Sequence, residues 1–156
     1  MWPKVVDYVK WQRALRQAQA EGKQLPDMPD LAPLSINLDL TTACNYACDH
    51  CIDWDILNSR EKHEDEQLRA SIERMAERGL RSVILIGGGE PTLYPGFVDF
   101  VAFLKKLDLS VSVVTNGSRG DRILQAAQHF TKGDWVRLSL DSGSNDVFQR
   151  MHHPSK

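Results

Sequence analysis

Three cysteines lie within eight residues, at Cys44, Cys48 and Cys51, and they are the only cysteines in the chain. Spacings of four and three residues bend a short loop so that the three thiolates converge on one point. Three thiolates are one fewer than a closed tetrahedral zinc site or an ordinary four-cysteine cluster requires. The set therefore favours an iron–sulfur cluster in which one iron lacks a protein ligand and is open to a substrate or cosubstrate.

Zinc is the alternative metal for the same loop. A histidine or an aspartate could join Cys44, Cys48 and Cys51 as the fourth ligand, which would make the chain a non-enzymatic zinc or iron–sulfur binding module. Zinc would not account for the glycine-rich and polar motifs that follow along the chain.

Each of three later apolar segments ends in glycines or small polar residues: Gly88, Gly89 and Glu90, then Thr115 and Asn116, then Ser139 and Asp141. Glycine permits unusual backbone angles and a close approach of ligand to backbone. The same residue types are common in ordinary turns, which is the structural alternative for the later two motifs.

The glycine-rich turn could also bind phosphate. A turn of this kind after a strand can cradle a phosphate group, so a nucleotide-binding doubly wound domain with incidental cysteines is a further alternative. The full dinucleotide fingerprint Gly-x-Gly-x-x-Gly is absent, because Thr92 occupies its final glycine position when counted from Gly87. Glu90 would also repel a phosphate.

The elements that must position these residues alternate between strand and helix patterns. Strand-length apolar segments cover residues 35–41, 82–86, 109–114 and 135–140, and helical patterns cover 3–22, 64–80, 95–107, 120–130 and a stretch from about 145. Helix-length crossovers predict an α/β fold with a parallel sheet, whose strands carry active-site residues at their carboxyl ends. We expect a helix and a proline-rich linker over residues 1–33 and the core domain over 34–156.

Composition excludes several classes of function. The formal net charge of −2 gives no general attraction to nucleic acid or to an anionic membrane. No apolar run approaches the roughly 20 residues of a transmembrane helix, and no signal peptide is visible. Clustered cysteines without a secretion signal indicate metal binding in a reducing compartment, so we expect a cytoplasmic protein.

With these motifs the sequence resembles the radical S-adenosylmethionine (SAM) enzymes over about residues 34–153. The resemblance implies that Cys44, Cys48 and Cys51 hold a 4Fe–4S cluster whose fourth iron is chelated by the amino and carboxylate groups of SAM. It implies that His50 lies near the adenine and that Gly88, Gly89 and Glu90 receive the methionine ammonium. The remaining implied contacts, to the ribose hydroxyls and the methionine carboxylate, fall on four residues: Thr115, Asn116, Ser139 and Asp141.

The resemblance also implies an activity. An electron donor such as flavodoxin or ferredoxin reduces the cluster, SAM is cleaved to methionine and a 5′-deoxyadenosyl radical, and the radical abstracts hydrogen from a substrate. The motifs from Pro91 to Pro95 and at the fourth strand end are most similar to the peptide-maturase and molybdenum-cofactor branch, so a ribosomal peptide or a small metabolite is the expected substrate. The family fold is a partial TIM-type barrel of usually six strands, of which about four are predicted here. We therefore expect the chain to be an N-terminal portion of a longer enzyme.

Two other features receive mainly structural interpretations. Trp54, three residues past the last cysteine, either shields the cluster or packs against the core. His152 and His153 are expected to close the last helix and to lie in a loop, from which they could reach substrate in a complete enzyme.

Overall fold

A computed structural model describes residues 2–27, 30 and 32–154 of the chain. Five α-helices, one short 3-10 helix at Pro91–Leu93 and four strands follow one another along these residues. The helices are α1 Trp2–Ala20, α2 Asp65–Glu77, α3 Phe97–Lys106, α4 Gly120–Ala127 and α5 Asn145–His152. The strands are β1 Ser35–Leu38, β2 Ser82–Leu85, β3 Ser110–Thr115 and β4 Trp135–Leu138.

The four strands form one parallel sheet in the order β1-β2-β3-β4. One row of the sheet pairs Leu38 with Leu85, Leu85 with Val113, and Val113 with Val136. Each strand lies beside its predecessor because a connection containing a helix carries the chain back to the same end of the sheet. The predicted parallel α/β fold is confirmed, and all four strands end at the same edge.

The core lies between the two central strands and the helices that cover them. Val83, Leu85, Val111 and Val113 have no solvent exposure, and their alternate, paired positions place them on one face of the sheet. Helix α3 buries a stripe of Phe97, Phe100, Val101 and Leu104, at spacings of three and four residues that place them on one side of a helix. Burial of each such side chain contributes about 1.5–3 kcal/mol to the free energy of unfolding. The central strands are therefore a stable base for the loops at the edge of the sheet.

The outer strands end earlier than the sequence predicts. β1 ends at Leu38, although the apolar alternation continues to Leu40, which is itself buried. The Ile86 N–H still bonds the Leu38 carbonyl, at 3.1 Å. Beyond this point the chain turns toward the end of β2. The alternation therefore predicts the burial of Leu40 correctly but overestimates the length of the strand.

The last strand is exposed in the described part of the chain. Trp135, Val136 and Leu138 of β4 are all exposed, as is Leu140 beyond it. Their apolar character fits a strand that is covered on its faces, yet the described residues leave this end of the sheet open. No helix among these residues is both long and apolar enough to cross a bilayer.

Candidate functional site

The loop after β1 packs directly on the loop after β2. The Glu90 N–H donates to the Ala43 carbonyl at 2.9 Å. The Gly88 N–H donates to Asp53 Oδ2 at 3.2 Å. These two bonds join the glycine-rich turn to the residues just before and just after the three cysteines. This contact was expected, because the carboxyl ends of parallel strands lie at one edge of the sheet.

Gly89 is required by this contact. A Cβ atom at Gly89 would lie 2.2 Å from the Ala43 carbonyl oxygen, and one at Gly88 would lie 2.9 Å from that of Thr41. Gly88 also has a φ of +65°, in the left-handed region that favours glycine. Any other residue at Gly89 would push the two loops apart.

The cysteine loop is shaped by its own backbone and by Asn58. The Cys44 N–H donates to Asn58 Oδ1 at 3.0 Å, and the Asn58 N–H donates to the Thr42 carbonyl at 2.7 Å. Within the loop, the Cys51 N–H donates to the Cys48 carbonyl at 3.1 Å. All three cysteines are free thiols and half-buried, so the fold presents them without pairing them.

The Cys44 and Cys48 thiols lie where their charged forms are unfavourable without a cation. Burial raises the pKa of Cys44, and the nearby charges of Glu90 and Cys51 raise it further. Burial likewise raises the pKa of Cys48 to about 11, with further contributions from Cys44, Cys51 and Asp141. A bound cation would reverse this balance, because metal coordination deprotonates a thiol. The chemistry of the three donors therefore fits an iron site.

Glu90 joins the second and third strand ends. Its side chain is 2% exposed. Oε1 accepts hydrogen bonds from the Thr92 N–H at 3.1 Å and from the Thr115 hydroxyl at 2.7 Å. Oε2 accepts one from the Asn116 N–H at 2.7 Å. Both carboxylate oxygens are thus used within the chain.

Asn116 continues this network to the cysteine loop. Its Nδ2 donates to Asn45 Oδ1 at 3.0 Å and lies 4.0 Å from Cys44 Sγ. The Ser118 hydroxyl donates to the same Asn45 oxygen at 3.2 Å. The predicted residues Glu90, Thr115 and Asn116 therefore form one connected group beside Cys44.

His50 and Asp141 are brought together from opposite parts of the sequence. His50 Nε2 lies 2.6 Å from Asp141 Oδ2, and both side chains are partly exposed. Ser139 follows β4 directly, its N–H donating to the Thr115 carbonyl at 2.8 Å. All eleven predicted site residues consequently lie at, or in the loops just beyond, the carboxyl ends of the four strands.

Trp54 is 76% exposed, which excludes packing against the core, one of the two interpretations given above. His152 is the last residue of α5, so it closes this helix as expected, but it is 4% exposed and lies within the helix, whereas a loop position was also expected for it. Its Nδ1 lies 3.1 Å from Cys48 Sγ. The spacing of Phe148 and His152 by one helical turn was the available signal, since it places the two rings on one face of α5.

Cys48, His50 and His152 also form a group of possible metal donors. Their ligand atoms all lie within 4.8 Å of one another. This group leaves out Cys44 and Cys51, so it does not explain the three-cysteine spacing. It shows instead that two histidines flank one thiolate of the set.

One known protein family matches the part of the chain that carries the cysteine loop and the strand ends. The family described as the Radical SAM superfamily matches residues 38–156, which include the cysteine loop and all four strand ends. The chain belongs to the radical SAM superfamily. Residues 38–156 contain every site residue described above, and a non-enzymatic zinc module is not favoured.

Radical SAM relatives act on different substrates. An S-adenosylmethionine-dependent nucleotide dehydratase of Thermoplasmatales archaeon (strain ISO4-H5) is 34% identical over 69% of this chain and 38% of its own length. Mycofactocin maturase MftC of Mycobacterium ulcerans (strain Agy99) is 31% identical over 74% of this chain and 31% of its own length. Both are named as enzymes, and the chain spans about a third of the length of each.

A solved structure supports the fold. The chain matches Streptococcus suis SuiB bound to S-adenosylmethionine with a TM-score of 0.64 and 16% identity, over 92% of this chain and 32% of that one. At this identity the likeness concerns the fold alone. The expected partial barrel is consistent with it.

Proposed function

We propose that the chain holds a 4Fe–4S cluster through Cys44, Cys48 and Cys51 and binds SAM at the adjoining strand ends. The observation that carries this proposal is the packing of the loop with three free, half-buried cysteines against the Gly88–Glu90 turn. Three protein ligands leave one iron of a four-iron cluster for the cosubstrate. When bound and reduced, the cluster supplies the electron that cleaves SAM to a radical able to abstract hydrogen from a substrate.

The glycine turn is suited to a charged amine. Gly88 and Gly89 bring backbone close to the cysteine loop with no side chain between them, so their carbonyls would receive the methionine ammonium. Glu90 adds negative charge near this position, while its oxygens stay bound to Thr115 and Asn116. We assign Glu90 a positioning role for the turn together with this electrostatic one.

The more exposed residues at the fourth strand end and in the cysteine loop would meet the rest of the cosubstrate. Ser139 and Asp141 are exposed polar residues beyond the end of β4 and would contact the ribose hydroxyls or the methionine carboxylate. His50, also exposed, would lie along the adenine. Thr115 and Asn116 would affect the cosubstrate mainly indirectly, through their hydrogen bonds to Glu90 and, for Asn116, to the cysteine loop.

Substrate and reductant belong to the whole protein. A peptide or a small metabolite is the proposed substrate, and the family relatives named above act on members of both classes. Flavodoxin or ferredoxin is the proposed electron donor, and the free thiols suit a reducing, cytoplasmic setting. We propose residues 34–156 as an N-terminal portion of the radical SAM core and 1–33 as a helical extension to it.

Metal loading tests the cluster assignment. The protein would be reconstituted with iron and sulfide without oxygen, beside Cys44→Ala, Cys48→Ala and Cys51→Ala. Asp49→Ala is the matched control, since Asp49 lies in the same loop and its described side-chain partner is His153. We expect about four iron and four sulfide per chain in the wild type and the control, with a large loss in each cysteine variant. A wild type that binds only zinc would contradict the proposal.

A further inference from the structure

We propose that His152 is a positioning residue for the cluster, donating a hydrogen bond from its ring to the Cys48 sulfur and thereby favouring the reduced cluster. This inference rests on the proposed function of the three cysteines. His152 lies 104 residues from Cys48 along the chain, and the cluster ligands do not include it.

The contact is short and buried. His152 Nδ1 lies 3.1 Å from Cys48 Sγ, and the His152 carbonyl oxygen lies 4.0 Å from the same sulfur. The residue is 4% exposed. Little water can therefore replace the ring as a partner for the sulfur, and a hydrogen bond in such a site is stronger than one at the surface.

Backbone bonds hold the end of α5 on both sides of Cys48. The Ala47 N–H donates to the His152 carbonyl at 3.0 Å, and the Asp49 N–H donates to the Met151 carbonyl at 3.0 Å. The residues before and after Cys48 are thus bound to the last turn of the helix. These carbonyls would otherwise be unsatisfied at a helix C-terminus, so the cysteine loop also caps α5.

Aromatic neighbours fix the orientation of the His152 ring. The Phe148 ring centroid lies 5.0 Å from it, and those of His50 and Tyr46 lie 5.4 Å and 5.9 Å away. Packing of this kind restricts the ring to one rotamer. The bond to sulfur is consequently built into the fold before any metal is bound.

The direction of the hydrogen bond follows from the ligand. A metal-bound cysteine has lost its proton and can only accept, so Nδ1 must be the donor once Cys48 ligates iron. The other ring nitrogen, Nε2, is buried without a hydrogen-bond partner among the described residues, with Asp141 Oδ1 at 3.7 Å. Nε2 therefore offers no competing short bond that would draw the ring away from the sulfur.

A donor to a cluster sulfur favours the reduced state. Reduction adds negative charge, which spreads onto the sulfur ligands, so the hydrogen bond strengthens on reduction. Hydrogen bonds to charged groups contribute more than neutral ones. Loss of this bond should lower the equilibrium ratio of reduced to oxidised cluster about tenfold at a fixed poise, which is about 59 mV for one electron.

Three variants separate the bond from the bulk of the ring. His152→Phe keeps a ring but removes the donor, and His152→Asn keeps a donor near the position of Nδ1. His153→Asn is the control, because His153 is exposed and has a φ of +41° that asparagine tolerates. Redox titrations followed by EPR should show the tenfold lower ratio of reduced to oxidised cluster in His152→Phe and the wild-type ratio in the control. In His152→Asn the logarithm of this ratio should fall by less than half as much as in His152→Phe.

A measurement on the unaltered protein does not depend on a variant that folds. The wild type would be labelled with ¹⁵N-histidine, reconstituted and reduced, and examined by pulsed EPR. A ¹⁵N coupling to the cluster that remains in both His50→Phe and His153→Asn supports His152 as the donor, since His50 also lies near Cys48. No coupling in the wild type, or an unshifted potential in a loaded His152→Phe, would overturn the role of His152 and leave the cluster assignment intact. Failure of the wild type to form a cluster would instead overturn the proposed function, and this inference with it.

Discussion

Glu90 accepts a hydrogen bond from the Asn116 N–H through Oε2 at 2.7 Å, and this bond ties the turn after β2 to the end of β3. The Asn116 side chain then reaches Asn45 in the cysteine loop, at 3.0 Å. One buried carboxylate thus connects three of the four strand ends. A change at Glu90 should therefore affect the cysteine loop, although its carboxylate has no direct bond to a cysteine among the described residues.

Replacing this carboxylate by an amide tests the connection. In Glu90→Gln, one carboxylate oxygen becomes an NH2 group that faces donors already aimed at it from Thr92, Thr115 or Asn116. An unsatisfied buried donor costs about 1–3 kcal/mol, so we expect a loss of about 2 kcal/mol in the free energy of unfolding and less iron bound per chain. Urea unfolding of the metal-free protein and iron analysis would measure the two effects.

Glu73→Gln is the matched control, since Glu73 is exposed on α2. Surface substitutions of this kind usually change stability by less than about 0.5 kcal/mol. Equal stability and iron content in the two variants would show that Glu90 does not organise the site.

The close approach at Gly89 gives a second prediction. In Gly89→Ala the new Cβ would lie 2.2 Å from the Ala43 carbonyl oxygen, so the cysteine loop and the glycine turn must separate. Overpacking of this kind costs about 1–3 kcal/mol, and we expect cluster loading to fall with it. Gly143→Ala is the control, because nothing lies within 4 Å of a Cβ built there. Similar iron contents for the two variants would contradict the close packing.

A buried ion pair outside the site anchors β3 and gives a third prediction. Asp134 Oδ2 lies 2.8 Å from Lys105 Nζ, with side-chain exposures of 1% and 15%. Asp134 also accepts hydrogen bonds from the Val111 and Thr131 N–H groups, at 2.7 Å each. Removing one partner of a buried pair costs about 3–5 kcal/mol, so Asp134→Ala should lose about 3 kcal/mol by chemical unfolding. Asp121→Ala, at an exposed pair with Arg119, should lose less than about 1 kcal/mol.

The same aspartate makes stability depend on pH. Burial alone would raise its pKa, but hydrogen bonds from Lys105, Thr131 and Val111 outweigh burial and hold the pKa of Asp134 below its ordinary value. A carboxyl whose pKa falls on folding contributes stability that is complete above its unfolded value, about 3.9, and is lost as the pH falls through the folded value. The stability gap between wild type and Asp134→Asn should therefore narrow below about pH 3.9. A gap that widens there, in urea titrations from pH 7 downward, would contradict this sign.

Local patterns in the sequence predicted most of the fold. The apolar runs around Val83 and Val111 predicted strands of a parallel sheet, because such runs are typical of strands in the interior of an α/β fold. The sequence also predicted that the motif residues lie close together, since the carboxyl ends of parallel strands lie at one edge of the sheet. The family assignment then followed from one loop and one turn.

Long-range contacts could not be predicted in this way. No local signal connects His152 to Cys48, because their meeting depends on how α5 crosses the sheet edge. Core packing was one of two interpretations of Trp54, and its 76% exposure excludes it, because a loop residue is buried only if another element covers it. The exposure of Leu138 and Leu140 shows the same limit at the other end of the sheet.

The most direct test of the cluster and its open iron is low-temperature EPR of the reconstituted, reduced protein, recorded with and without SAM. We expect a reduced 4Fe–4S signal whose g values shift when SAM is added, and which Gly89→Ala weakens while Gly143→Ala does not. A well-folded wild type whose cluster signal is indifferent to SAM would contradict the assignment of an iron open to the cosubstrate.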